Sequence, residues 1–212
     1  MALTLDDLRT DPLQACTDYG LLCDKDEIFR RDQGGQCGIH LSRAPKFPTT
    51  SSEVYRLEPA PGNRDWFFPY SRQVGFCIVP IGQPEGTIAF TGGMNGCTLA
   101  VYRHENSFHF YHDTNGMFLA NRNPPGERVC YVPVHAYQGP LKTGERLARE
   151  GSNLQQKAYF RHNLICVRSG NEWKVIVTGI LNYSSLITGL DLGYEMFKPW
   201  FNTCLLTTFR DR

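Results

Sequence analysis

Thr91-Gly-Gly-Met-Asn-Gly-Cys97-Thr-Leu-Ala-Val-Tyr-Arg103-His-Glu-Asn-Ser107-Phe-His-Phe-Tyr-His112 is the stretch on which the fold turns. Two short runs of β-prone residues, 98–103 and 107–112, flank a polar break, which is the signature of a β-hairpin. With Arg103 to Asn106 as the loop, Val101 faces Phe108, Leu99 faces Phe110 and Cys97 faces His112. Alternation puts all three pairs on one face of the sheet. Directly opposite residues have Cβ atoms roughly 4.5–5.5 Å apart, so a thiol there meets an imidazole.

That juxtaposition is chemically suggestive. A thiol with the ordinary pKa of about 8.5 is mostly protonated at neutral pH, whereas the thiolate is the nucleophile. An adjacent imidazole takes the proton, which makes Cys97 the candidate nucleophile and His112 its candidate base. Gly92, Gly93 and Gly96 leave the backbone open to a substrate. The backbone N–H groups of Gly96 and Cys97 are the expected oxyanion donors.

Outward from the hairpin the pattern stays β-rich. Apolar runs at 74–81, 87–91, 128–134, 164–168, 173–180 and 202–209 read as strands, and 3–9 and 143–158 as helices. Ser169-Gly-Asn-Glu172 is a hairpin turn signal. The expected fold class is α+β, a mostly antiparallel β-sheet sandwich with flanking helices. A Pro/Gly cluster at Pro59-Ala-Pro-Gly62 divides an N-terminal arm, 1–60, from a sandwich domain, 61–212, unless the chain is one continuous domain.

Composition narrows the function classes. The chain has 212 residues, 41% hydrophobic and 20% charged, enough to bury a core without staples. A net charge of +1 with no basic stripe argues against a nucleic-acid partner. Eight cysteines, several inside apolar runs, suggest free thiols rather than a disulfide framework. Their spacing to histidines is not that of a metal site, so neither a metal nor another cofactor is expected. No membrane span is expected, and the N-terminal residues do not read as a Sec signal.

Gly96-Cys97-Thr98-Leu99, preceded by Met94-Asn95 and followed on the next strand by His112, resembles the catalytic hairpin of the cytotoxic necrotizing factor deamidases. It is similar also to the Burkholderia lethal factor and CheD deamidase families. Where those proteins usually have Leu-Ser-Gly-Cys, this chain has Met94-Asn95-Gly96-Cys97. The resemblance implies an α/β sandwich that hydrolyses a protein glutamine to glutamate through a Cys97 thioester, with transamidation as a side activity. It gives Thr91, six residues before the cysteine, the task of orienting His112 or lining the pocket. It further implies a bacterial toxin or effector, a monomer secreted by a non-Sec route. Such a protein acts on a glutamine-bearing target protein in the cytoplasm of a target cell; otherwise the protein is cytoplasmic.

Two other readings stand beside this one. Gln36-Cys37-Gly38 resembles the nucleophile of papain-like cysteine proteases, although the residues after Cys37 form a poor helix. Alternatively, Cys97 and His112 are ordinary core residues of a protein-interaction domain.

Overall fold

A computed structural model describes residues 2–23, 32–138, 141–197 and 204–211 of the chain. Helix α1 (Leu5–Thr10) begins with a capping box: the Thr4 hydroxyl accepts from the Asp7 N–H while the Asp7 carboxylate accepts from the Thr4 N–H. Helix α2 (Pro12–Asp18) follows at once, with Asp11 as its N-cap and Pro12 at its first position. The chain then runs through β1 (Tyr19–Cys23), β2 (Gly35–Arg43), β3 (Glu53–Phe67), β4 (Val74–Pro80), β5 (Ile88–Phe90), β6 (Thr98–His104) and β7 (Ser107–Asp113). Two 3-10 turns lead to β8 (Glu127–Val132), α3 (Val134–Gln138) and α4 (Leu141–Glu150). Strands β9 (Gln156–Ser169), β10 (Glu172–Ser185), β11 (Asp191–Phe197) and β12 (Leu205–Arg210) complete the order.

The strands form two sheets among the described residues. The larger has the order β1-β3-β5-β9-β10-β11, with β2 also on β3 and β12 also on β10; the smaller has the order β4-β7-β6-β8. Among the described residues strands predominate and helices are few, so the fold is a β-dominated α+β arrangement. Pairing is mainly antiparallel, the parallel exceptions between named strands being β1 with β3 and β3 with β5.

The two sheets meet face to face. Cys77, Val79, Leu99, Val101, Phe108 and Phe110 from the small sheet share one buried cluster with Leu164, Cys166, Val175 and Val177 from the large one. Burying a side chain such as Phe110 contributes about 1.5–3 kcal/mol. The opposite face of the large sheet is covered by Leu8, Ala15 and Cys16 of the first two helices. All eight cysteines are buried.

Three expectations need correction. The hairpin at 98–112 exists, but Leu99 faces His112 and Val101 faces Phe110. The connection is a two-residue turn at Glu105-Asn106, with Glu105 at φ 51°. The register therefore shifts by two, which keeps every side chain on its expected face. Second, the expected helix at 143–158 stops at Glu150; Gly151 follows, and from Gln156 the chain belongs to β9. Third, the boundary at residue 60 falls inside β3, which runs unbroken from Glu53 to Phe67. The Pro/Gly cluster there makes a bulge, with the register jumping from Gly38–Ala60 to Cys37–Asp65, which is how a strand accommodates Pro and Gly. Residues before 60 thus supply β1, β2 and half of β3 to the large sheet.

A buried ion pair locks the N-terminal helices onto this frame. Arg9 donates to both Asp65 carboxylate oxygens at 2.8 and 2.7 Å and to the Gly86 carbonyl at 2.6 Å. The Asp65 carboxylate also accepts the Ile88 N–H at 3.0 Å. Removing one partner of a buried pair leaves the other charge uncompensated. Asp65→Ala is expected to lower the unfolding free energy by about 3 kcal/mol, read from urea denaturation. A change below about 1 kcal/mol would contradict the role given to this pair.

Candidate functional site

The candidate site lies where the chain leaves the large sheet at Phe90 and enters the small one at Thr98. Met94 to Cys97 form a tight turn closed by the Cys97 N–H donating to the Met94 carbonyl at 2.9 Å. Gly96 sits at its third position with φ 79°, where a side chain would be strained. The turn is pinned to β9 three times. The Met94 N–H donates to the His162 carbonyl at 2.8 Å, the Asn95 amide donates to the Phe160 carbonyl at 2.7 Å, and the Asn95 side-chain oxygen accepts the His162 N–H at 2.9 Å. From α3 the buried Tyr137 hydroxyl lies within hydrogen-bond reach of both the Met94 and Cys97 carbonyls.

Of the three side chains singled out from the sequence, Thr91 and His112 are in direct contact, whereas Cys97 bonds neither of them. Cys97 immediately precedes β6 and belongs to the inter-sheet cluster with Leu99. His112, opposite Leu99, lies at the end of β7. Cys97 itself lies outside the ladder, whose first pair on this side is Thr98 with Asp113. Thr91, one residue past β5, meets His112 directly: its hydroxyl oxygen lies 2.7 Å from Nδ1. The other ring nitrogen, Nε2, is buried with no hydrogen-bond partner. The Cys97 thiol instead donates to the Asn95 carbonyl at 3.7 Å.

Cys97 is 2% exposed and His112 fully buried, and this sets their charge states. Burial pushes the Cys97 thiol up from its ordinary value; the Asn115 N–H opposes this, the Asp113 carboxylate reinforces it, and the Thr114 hydroxyl opposes it. Burial pulls His112 down to about 3. Both groups are thus neutral at pH 7, and the resting pair is thiol and imidazole rather than thiolate and imidazolium. Of the two expected oxyanion donors, the Cys97 N–H is engaged by Met94, leaving the Gly96 N–H as the candidate.

A cleft of about 400 Å³ flanks the turn, lined among others by Tyr70, Gly92, Gly93, Asn95 and Arg161. Tyr70 is 43% exposed and packs its ring edge-on to His112, with centroids 5.2 Å apart. Gly93 is the residue the Arg161 stem crosses: a Cβ there would come within 2.7 Å of Arg161 Cδ. Tyr137, His162 and Asn115 were not legible as site residues, because their roles arise from backbone contacts across the fold. Asn95 alone carried a signal, as part of the Met-Asn-Gly-Cys run.

The remaining candidates lie elsewhere. Cys37 sits in the middle of β2 and not at a helix N-terminus, the setting a papain-type nucleophile requires. Asp113 turns its carboxylate to the N–H groups of Phe118 and Leu119, at 3.0 and 3.2 Å. His135 is exposed on α3, and His109 bonds Ser107 on the opposite face from His112. No cluster of metal-ligating side chains occurs among the described residues.

The depressed His112 value links folding to pH. Between about 3 and the unfolded value of about 6.5 the unfolded chain holds a proton that the folded one excludes, so stability is complete above 6.5 and falls as pH drops. Lowering pH from 7 to about 4.5 is expected to cost about 2–3 kcal/mol through this residue. Urea denaturation of wild type and His112→Gln at both pH values measures it: the loss shrinks in the variant if His112 is buried neutral, and equal losses would contradict that. Compared with known proteins, the chain matches no family model and no curated relative.

Proposed function

We propose that the protein is a cysteine-dependent amide hydrolase acting on a protein glutamine, a deamidase of the type that the Met94–His112 hairpin resembles. The observation that carries the proposal is the 2.7 Å contact between Thr91 and His112 Nδ1, combined with a buried, unpartnered Nε2. A base needs one nitrogen held and the other free. If Nδ1–H donates to the Thr91 oxygen, the Nε2 lone pair is available to accept a proton.

The chemistry follows from neutral starting groups. As the substrate carboxamide enters beside Gly92 and Gly93, His112 Nε2 takes the Cys97 proton while the sulfur attacks the carboxamide carbon. Negative charge gathers on the oxygen, for which the Gly96 N–H is the candidate donor. The imidazolium returns its proton to the leaving nitrogen, ammonia departs, and a thioester remains. Water, deprotonated by the same nitrogen, adds to the thioester; collapse expels the thiol and leaves glutamate. An amine in place of water gives transamidation. Eight buried cysteines, several inside apolar strands, suit work in a reducing target-cell cytoplasm.

One competing reading has an observation in its favour. Burial of both residues, with no hydrogen bond from Cys97 to His112, equally fits a core cysteine and histidine in a non-catalytic interaction domain.

Mass spectrometry on target-cell lysate incubated with wild type or Cys97→Ser separates the readings. Glutamine-to-glutamate conversion at a defined site, abolished in the variant, is the expected result. Conversion that persists with Cys97→Ser would rule out this nucleophile. Thr91→Val is expected to lower the rate about 10- to 100-fold, because the histidine loses its orienting partner while its packing is kept.

A further inference from the structure

The far end of the β9–β10 ribbon concentrates exposed aliphatic side chains. Leu154 is 96% exposed, Ile187 80%, Leu190 67% and Leu186 54%. They belong to two adjacent turns, one leading into β9 and the other joining β10 to β11. Gln156 pairs with Ser185, and the Leu186 N–H donates to the Gln155 carbonyl at 2.8 Å, so the two turns form one tip.

The tip is ordered from within. The Ser185 N–H donates to the Leu190 carbonyl and the Gly189 N–H to the Ser185 carbonyl, at 2.8 and 2.9 Å. The Ser185 hydroxyl accepts the Ile187 and Thr188 N–H groups at 3.2 and 3.1 Å. The backbone donors of the 185–190 turn that water would otherwise satisfy are thus paired internally, which lowers the cost of moving them into an apolar medium.

Charge is also absent from the tip. Neither 151–156 nor 182–190 contains a charged residue, in a chain that is 20% charged. The first cation, Lys157, lies directly behind, with its ammonium 4.8 Å from the ring centroid of Tyr159, itself 48% exposed. Asp191, the first anion on the other side, accepts a hydrogen bond from the Tyr194 hydroxyl. An aliphatic end followed by a tyrosine–lysine collar is the order of chemistry met on rising from acyl chains to lipid headgroups. An uncharged aliphatic tip whose 185–190 donors are paired suits a fluid apolar medium better than the hydrogen-bonding surface of a protein partner.

We infer that the tip formed by Leu154, Leu186, Ile187 and Leu190 is a prong that inserts into the surface of a lipid bilayer, with Lys157 and Tyr159 at headgroup level. This inference does not depend on the hydrolase assignment, and no helix among the described residues is long and apolar enough to cross a membrane.

Flotation of the full chain with phosphatidylcholine–phosphatidylserine vesicles tests it. Wild type is expected to float with the vesicles, and Ile187→Asp to lose about tenfold or more in partitioning, since a buried isoleucine side chain is worth that much. A second variant, Leu190→Trp, is expected to shift its fluorescence to the blue when vesicles are added, a readout that needs no loss of binding. Absence of wild-type flotation, as would follow if the tip docks only on protein, would overturn the inference. So would equal flotation of Ile187→Asp, or an unshifted tryptophan.

Discussion

Everything at the candidate site depends on how the chain crosses from one sheet to the other. Between Phe90 and Thr98 it must leave the large sheet, reverse, and start the small one, and a bare loop there would leave Cys97 unplaced. Strand β9 prevents this by holding Met94 and Asn95 through backbone and amide hydrogen bonds, while Tyr137 holds the carbonyls of Met94 and Cys97. The crossing is thereby as rigid as the sheets it joins. Thr91 at its start and Cys97 at its end are fixed relative to His112, which arrives from β7. A site built from elements this distant in sequence needs that rigidity, since a shift of about 1 Å in a reacting group is costly.

Two buried histidines near the crossing keep ring nitrogens that the fold leaves unsatisfied. His112 Nε2 has no partner, and neither ring nitrogen of His162 does. His162 is enclosed by the rings of Tyr137, Phe160 and Phe197, and burial pulls it down to about 4. An orphaned buried polar group costs about 1–3 kcal/mol. Such atoms are not confined to the crossing: Trp173 Nε1, Asn182 Oδ1 and Asp211 Oδ1 are also buried with no hydrogen-bond partner.

Much of this was legible in the sequence, for identifiable reasons. The Cys97–His112 hairpin was readable because β-prone runs flank a polar break, and a two-residue shift in register preserves which side chains share a face. The register itself was not, because Glu105 takes a positive φ that a non-glycine residue seldom signals. Gly170-Asn171, by contrast, is a conventional turn pair, and the hairpin of β9 and β10 falls where that pair indicates. The bulge in β3 was misread as a boundary because Pro and Gly mark loops and bulges alike. Tyr137 and His162 act on the turn over sequence distances that no local pattern records.

The central claim is that Cys97 is a nucleophile served by His112. Its most direct test is the rate at which iodoacetamide alkylates each of the eight cysteines at pH 7, in wild type and in His112→Gln. The account predicts that Cys97 reacts first and slows about 100-fold in the variant, the contribution of a positioned general base. A Cys97 that reacts no faster than Cys37 or Cys130, or that is indifferent to His112, would make the pair a piece of the core.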